Sequence, residues 1–307
     1  MNQTNLSAKI RALRLCLNPQ LIEIHNPSRP VGGGGYCDMF RGVYTSMNLH
    51  LALKRPRFCT LEPKSAKDAI RRFCREGKLW SELDHINILP FLGMVDIGAR
   101  LEFLELSGSE RSTHPSRHMF ERFDEWDIVR LAYLHEMRII HGDIKAANIL
   151  LNIEVRPALC DFGMTKVLDG ANSLTSTAMQ GAGSLRWMSP EMLNNSPRTW
   201  QTDIYALGLT ITEILTGQVP FADRCNQAAI MMAIMQGQCH ATLPFPREGK
   251  SFHDIWRAAS QCWHKDAGQR PSALTIVSEI AALRSTTATQ CEDVSTPKKK
   301  RRFSQRQ

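Results

Sequence analysis

Between residues 138 and 163 four polar side chains are set into otherwise apolar sequence. The stretch His141-Gly142-Asp143-Ile144-Lys145-Ala146-Ala147-Asn148 follows Ile139-Ile140 and runs into Ile149-Leu150-Leu151, and Cys160-Asp161-Phe162-Gly163 comes shortly after. Charged side chains are rarely buried unless they are paired or bound to a metal. Asp143, Lys145, Asn148 and Asp161 are therefore expected to emerge from the ends of strands or helices and to meet in one place. That requirement constrains the fold more than any other feature of the chain.

The chemistry of the four residues is specific. Asp161 and Asn148 offer hard oxygen ligands suited to Mg²⁺ held jointly with the phosphates of a nucleotide. Asp143 can accept a proton from an attacking hydroxyl, and Lys145 can neutralise charge that develops on a transferred phosphoryl group. Upstream, Gly32-Gly33-Gly34-Gly35 leaves a backbone without Cβ obstruction, able to bring N–H groups close to phosphate oxygens. Lys54, in Leu51-Ala52-Leu53-Lys54, would lie on a strand beneath that loop, and Glu76, in Arg75-Glu76-Gly77-Lys78, could hold it from the following helix. Taken singly, the glycine run is as consistent with a flexible loop, and Lys54 and Glu76 with surface charges.

The surrounding pattern places these residues in an α+β architecture. Residues 31–56 show glycines and then apolar alternation, which predicts a loop between strands followed by a further strand. Residues 63–83 switch to helical spacing, with Ile70, Phe73, Leu79 and Leu83 on one stripe. One more strand is expected at 101–106, after which helical patterns dominate, at 119–136, 201–217, 225–236, 251–263 and 272–284. There is no internal repeat and no long Pro/Gly-rich linker.

Composition and charge remove other classes. With 43% hydrophobic and 22% charged residues the chain reads as globular rather than disordered or collagen-like. No apolar stretch approaches the roughly 20 residues a membrane span needs. Lys9, Arg11 and Arg14 stand where a signal peptide would carry its apolar core, so neither secretion nor membrane insertion is expected. Nine scattered cysteines without a CxxC pair indicate neither a disulfide framework nor a zinc site. Of the net charge of +8, residues 285–307 hold +4, which leaves the body near neutral, and nucleic-acid binding by the folded part is not expected. The run Pro297-Lys298-Lys299-Lys300-Arg301-Arg302 lies in a Ser/Thr/Gln-rich tail expected to be disordered. A nuclear import receptor is the reader expected for Lys298–Arg302, which makes the expected location cytoplasmic, nuclear or both; a solvated tail without a reader is the alternative.

Taken in order, the glycine-rich loop, strand lysine, helix glutamate, HGDIKAAN, DFG and Ser189-Pro190-Glu191 resemble the signature set of eukaryotic protein kinase catalytic domains. Leu185-Arg186-Trp187-Met188-Ser189-Pro190-Glu191 and Cys262-Trp263 before Arg270-Pro271 look like the tyrosine-kinase-like group. The resemblance implies a two-lobed protein-kinase-like fold: a small antiparallel β-sheet lobe with one helix, and a larger, mainly helical lobe. It divides the chain into an extension (1–28), a kinase domain (29–284, with the smaller lobe at 29–106 and the larger at 107–284) and the basic tail (285–307). It implies transfer of the γ-phosphate of Mg-ATP to protein substrates, with Lys54 held by Glu76 on the α/β-phosphates, Asp161 and Asn148 on Mg²⁺ and Asp143 as base. Gly32, Gly33, Gly34, Gly35, Met39, Ala52 and Leu150 would surround the nucleotide, and Cys37 and Cys160 would border it. Lys145, two residues after the base, matches the serine/threonine-specific pattern. Asp203 matches the aspartate that braces the catalytic loop, and Glu191 with Arg270 the ion pair of the larger lobe.

Three departures accompany the resemblance. Cys37 stands at the third glycine of the loop pattern, and Gly142 stands where many members carry arginine. Only 47 residues separate Gly93 from His141, which places the adenine hinge at Glu105-Leu106-Ser107 and shortens the helix before the catalytic loop. Cys37 and the compressed hinge region motivate the alternative of a pseudokinase scaffold acting through protein partners.

Overall fold

Two eight-residue strands with alternating burial form the centre of the smaller lobe. In the computed structural model, which describes residues 18–33, 37–57, 63–85, 88–96, 101–106, 125–151, 157–167, 184–238 and 250–292, these are β3 (Cys37–Tyr44) and β4 (Leu49–Pro56). With β1 (Ile22–Ile24), β2 (Gly32–Gly33), β5 (Phe91–Asp96) and β6 (Leu101–Leu106) they make one antiparallel sheet in the order β1-β3-β4-β6-β5, β2 pairing with β3. Leu51 and Leu53, two residues apart on β4, project to the same face and pack with Phe40, Tyr44, Leu92 and Val95. Gly42 allows β1 to lie close: a Cβ there would stand 2.7 Å from the Glu23 carbonyl oxygen and 2.8 Å from Leu53 Cδ1.

Helix α1 (Pro63–Glu82) turns its stripe of Phe73, Glu76 and Trp80 inward, one helical turn apart, and Leu83 follows just beyond its end. The larger lobe contains α2 (Glu125–Glu136), β7 (Ile139–Ile140), β8 (Ile149–Leu151), β9 (Pro157–Leu159), β10 (Lys166–Val167), α3 (Pro190–Leu193), α4 (Trp200–Thr216), α5 (Gln227–Met235), α6 (Lys250–Cys262) and α7 (Ala273–Glu292). Two short antiparallel pairs, β7 with β10 and β8 with β9, frame the loop from His141 to Asn148.

Helix α4 is the pillar of this lobe. A capping box between Thr199 and Thr202 opens it, Gly217 at φ 72° closes it, and every residue from Thr202 to Leu215 is buried. A helix buried on all sides needs neighbours on all sides, and at Gly208 the neighbour is α6.

The expected α+β, two-lobed arrangement is present, with three differences in extent. The sheet begins at Ile22, inside the stretch assigned to the extension, because the short segment Ile22-Glu23-Ile24 gains its partner only in β3. Strand β5 escaped the alternation pattern because a register irregularity between Phe91 and Gly93 interrupts it. The last helix runs to Glu292, eight residues past the expected boundary at 284 and into the segment expected to be disordered. Of the helix expected over 119–136, residues 125–136 are helical; 119–124, Gly34, Gly35, Ser107 and the basic run 298–302 lie outside the described residues.

Gly208→Ala tests the α4–α6 contact. Its Cβ would stand 2.6 Å from Cys262 Cβ and 2.8 Å from the Ala259 carbonyl oxygen, neither of which can rotate away. Alanine gains about 1 kcal/mol of helix propensity, whereas overpacking costs about 1–3 kcal/mol. A net loss of stability is expected, read as a lower urea midpoint with an unchanged slope.

Candidate active site

Lys54 connects the two lobes. Its Nζ lies 2.6 Å from Glu76 Oε1 on α1 and 2.9 Å from Asp161 Oδ1 in the larger lobe, and both Lys54 and Glu76 are buried. Burial alone would push the Lys54 ammonium down, but Asp161 and Glu76 outweigh it and hold the ammonium well above its ordinary range. Burial would raise the Asp161 carboxyl, yet Lys54, by charge and hydrogen bond, holds it well below the usual carboxylate range. For Glu76, burial pushes the carboxyl up against the pull of Lys54. Lys54 is thus a fixed cation and Asp161 a fixed anion at neutral pH.

A column of aromatic rings holds the lobes in this register. Trp80 stacks on Phe91 of β5 at 5.4 Å and packs against Phe162 at 5.3 Å, and Phe162 meets His141 edge-on at 5.2 Å. The Trp80 indole N–H donates to the Leu89 carbonyl at 2.7 Å, so its polar end is satisfied in the core. Because Glu76 and Trp80 are four residues apart on α1, the helix that presents the carboxylate to Lys54 is the one anchored on Phe162. Asp161, between them, adopts φ 65°, a left-handed conformation unusual for a side-chain-bearing residue and maintained by its surroundings.

The second cluster surrounds Asp143. Its Oδ2 accepts from Lys145 Nζ at 2.7 Å and from Asn148 Nδ2 at 2.9 Å, and Asn148 Nδ2 also donates to the Asp143 carbonyl at 2.7 Å. Lys145 reaches on to Ser184 Oγ at 3.0 Å. With both donors of the Asn148 amide spent on Asp143, its oxygen is the atom left to act as a ligand. His141 is buried; burial lowers its pKa despite nearby carboxylates, so the ring is neutral. The carbonyl of Cys160 can only accept, at 3.2 Å from Nε2, and the Asp143 N–H can only donate, at 3.3 Å from Nδ1, which fixes the proton on Nε2.

Two further carboxylates support the loop from below. Asp203 in α4 accepts the His141 and Gly142 N–H groups, both at 2.8 Å, and lies 3.2 Å from His135 Nε2. Glu213, ten residues after Asp203 on α4, accepts the Ala146 N–H and the Trp187 indole N–H, each at 3.1 Å, and burial pushes its carboxyl up to about 7. Glu191 and Arg270 form a bidentate pair at 2.6 and 2.8 Å, with the Gln201 carbonyl 2.9 Å from Arg270 Nη1.

The residues expected from the sequence fall into place unevenly. Lys54, Glu76 and Asp161 form one cluster, and Asp143, Lys145 and Asn148 the other, linked by the hydrogen bond from the Cys160 N–H to the Asn148 carbonyl at 2.9 Å. Met39 pairs in register with Lys54, and Ala52 with Glu105 of the expected hinge, so both flank the upper side of the site, while Leu150 packs at the edge of the core. Gly32 and Gly33 form β2 opposite Met39 and Asp38. Cys160 is fully buried and donates to the Asn148 carbonyl, a packing role rather than an accessible pocket wall. Burial pushes the Cys37 thiol up to about 11, so it remains a neutral thiol. Sequence reasoning missed Trp80, Ser184 and Glu213: each acts through a contact more than twenty residues away or through packing, and none carries a local motif.

The donor set fits a divalent ion of the Mg²⁺ kind. Asp161 is ionised, Asn148 has its oxygen to give, and hard oxygen ligands are what such an ion takes.

Comparison with known proteins agrees with this geometry. The family profile of the protein kinase domain matches residues 25–280. A probable serine/threonine-protein kinase of Dictyostelium discoideum is 32% identical over 79% of this chain and 48% of its own length. Serine/threonine-protein kinase STY17 of Arabidopsis thaliana is 24% identical over 83% of this chain and 44% of its own length. Serine/threonine-protein kinase STE11 of Saccharomyces cerevisiae is 34% identical over 66% of this chain and 28% of its own length. The chain thus spans less than half the length of these relatives.

Glu213 gives the site a pH dependence. Its folded pKa, about 7, stands above the ordinary value of 4.5, so the folded protein holds a proton that the unfolded chain releases as pH rises between those values. Stability from this group is therefore full below about pH 4.5 and declines up to and through pH 7. Glu213→Gln keeps an acceptor and cannot ionise; the melting temperature of the wild type relative to this variant is expected to fall between pH 5 and 8, and parallel profiles would contradict the assignment.

Proposed function

The chain belongs to the protein kinase family, and from that premise we propose that it transfers the γ-phosphoryl group of ATP to serine or threonine hydroxyls of protein substrates. The observation that carries this reading is the pair of assembled clusters: Lys54 bridging Glu76 and Asp161, and Asp143 held by Lys145 and Asn148.

Mg²⁺, held by Asp161 and the Asn148 oxygen, would supply charge neutralisation at the phosphates. Lys54, fixed by two carboxylates, offers its positive charge to phosphate oxygens without having to be positioned at the moment of reaction. Asp143 accepts the proton of the attacking hydroxyl as the new O–P bond forms and the bond to the leaving ADP oxygen breaks; the proton then passes to solvent. Lys145 lies against the same carboxylate and against Ser184, where it can stabilise charge on the transferred group. Since phosphoryl transfer requires little covalent chemistry, holding these groups in place is most of what the protein contributes.

Serine/threonine specificity is supported by Lys145 and by the relatives, several of which are named serine/threonine-protein kinases and others mitogen-activated protein kinase kinase kinases. A protein substrate follows from the same reading. The scaffold alternative drew on Cys37 and the compressed region after Gly93; every charged position of the catalytic set is filled among the described residues, which favours catalysis. The basic run Lys298–Arg302 supports import into the nucleus, and no described helix is long and apolar enough to cross a membrane.

Two experiments test this. Labelled γ-phosphate from Mg-ATP should reach a generic Ser/Thr substrate, and Asp143→Ala should lower kcat by about 10²–10⁴-fold, the usual contribution of a general base. Absence of transfer by folded wild-type protein, or undiminished transfer by the variant, would overturn the assignment. Alanines at Lys298–Arg302 should shift a fluorescent fusion out of the nucleus; an unchanged distribution would remove the import role.

A further inference from the structure

Gly142 is the one residue of the catalytic loop whose missing side chain is replaced by a neighbour's. A Cβ built on Gly142, which has φ +80°, would stand 2.8 Å from Arg198 Cδ, 3.1 Å from Arg198 Nε and 2.8 Å from the Met164 carbonyl oxygen. The stem of Arg198 therefore lies in the space into which any side chain at 142 would project.

Neither the helix end nor a hydrogen bond to Nε favours a cation at this position. Arg198 immediately precedes Thr199, the N-cap of α4, where the helix dipole is positive and a cation is disfavoured. Its Nε is buried without a hydrogen-bond partner. Burial lowers its pKa, and only the charges of Asp143 and Asp203 favour the guanidinium in return. An unsatisfied buried donor at the wrong end of a helix is costly, and here the compensation comes from the two aspartates of the catalytic loop and its brace.

We propose that Arg198 is a positioning residue for the catalytic base, filling the side-chain space of Gly142 with its stem and setting its positive charge against Asp143 and Asp203. The start of α4 then grips the loop from two sides. Asp203 takes the backbone N–H groups of His141 and Gly142, and Arg198, five residues earlier, closes the face of the same turn that the glycine leaves open. Positions 142 and 198 are coupled through this contact: the stem of Arg198 takes part of the space that a side chain at 142 would need, and the Met164 carbonyl bounds the rest.

The proposal rests on the kinase reading for its activity readout, so its test includes one that does not. Gly142→Asn, Arg198→Ala, the double variant and Arg198→Lys would be assayed on Ser/Thr peptide with Mg-ATP, and their melting temperatures measured without nucleotide. Asn tolerates the positive φ, so its cost reports mainly the obstruction. Arg198→Ala is expected to lower kcat at least tenfold with KM for ATP and peptide held within twofold, and Arg198→Lys to recover at least a third of wild-type kcat. The double variant is expected to lose at least threefold less kcat than the product of the single losses, and less melting temperature than their sum. Wild-type kcat in Arg198→Ala, or independent effects in both readouts, would overturn the proposal. If the wild type transferred no phosphate, the kinase reading would fail, and the melting-temperature cycle would still decide whether the two positions are coupled.

Discussion

The ion pair of Lys54 with Glu76 and Asp161 is the contact on which the remaining arrangement depends, because it is where a strand, a helix and the larger lobe meet on one atom. A buried ion pair is weak evidence for stability, since desolvation offsets most of its Coulombic gain. Its value here is geometric. Lys54 meets Asp161 from β4, which pairs in register with β6, and Glu76 meets Lys54 from the helix whose Trp80 packs on Phe162. Removing Glu76 or Lys54 leaves the other charge buried and less compensated, which is strongly unfavourable.

Helix α4 does for the catalytic loop what α1 does for Lys54. Backbone amides of a loop buried at this depth need acceptors, and α4 supplies them as carboxylates at two levels, Asp203 under His141 and Gly142 and Glu213 under Ala146. The helix is itself fixed by close packing at Gly208 and by its capping box. Positional accuracy at Asp143 therefore traces back to a helix that contributes no atom to the reaction.

What could be read from the sequence follows from the range of the interactions. The residues of HGDIKAAN and DFG act within a few positions of one another, and their polar character against apolar flanks made them visible. Strands β3 and β4 were visible from alternation, and α1 from its stripe. Strand β1 was not, because three residues carry too little pattern and its close approach depends on Gly42 across the sheet. Strand β5 was hidden by the irregularity at Gly93. Trp80, Ser184, Glu213 and Arg198 owe their roles to partners distant in the chain, and a tryptophan on a helix or an arginine before an N-cap has many other uses. Cys160 was expected at the pocket because it adjoins Asp161, yet the segment that follows β9 and carries the aspartate buries the Cys160 side chain completely in the core.

In the proposed function, Asp161 and Asn148, fixed by Lys54 and Asp143, hold nucleotide and metal together. Calorimetric titration of ATP with and without Mg²⁺, on the wild type and on Asp161→Asn, tests it most directly. Mg²⁺ is expected to tighten ATP binding in the wild type, and this gain is expected to be lost in the variant. Equal ATP affinity with and without Mg²⁺ in the wild type, or an undiminished Mg²⁺ effect in the variant, would contradict it.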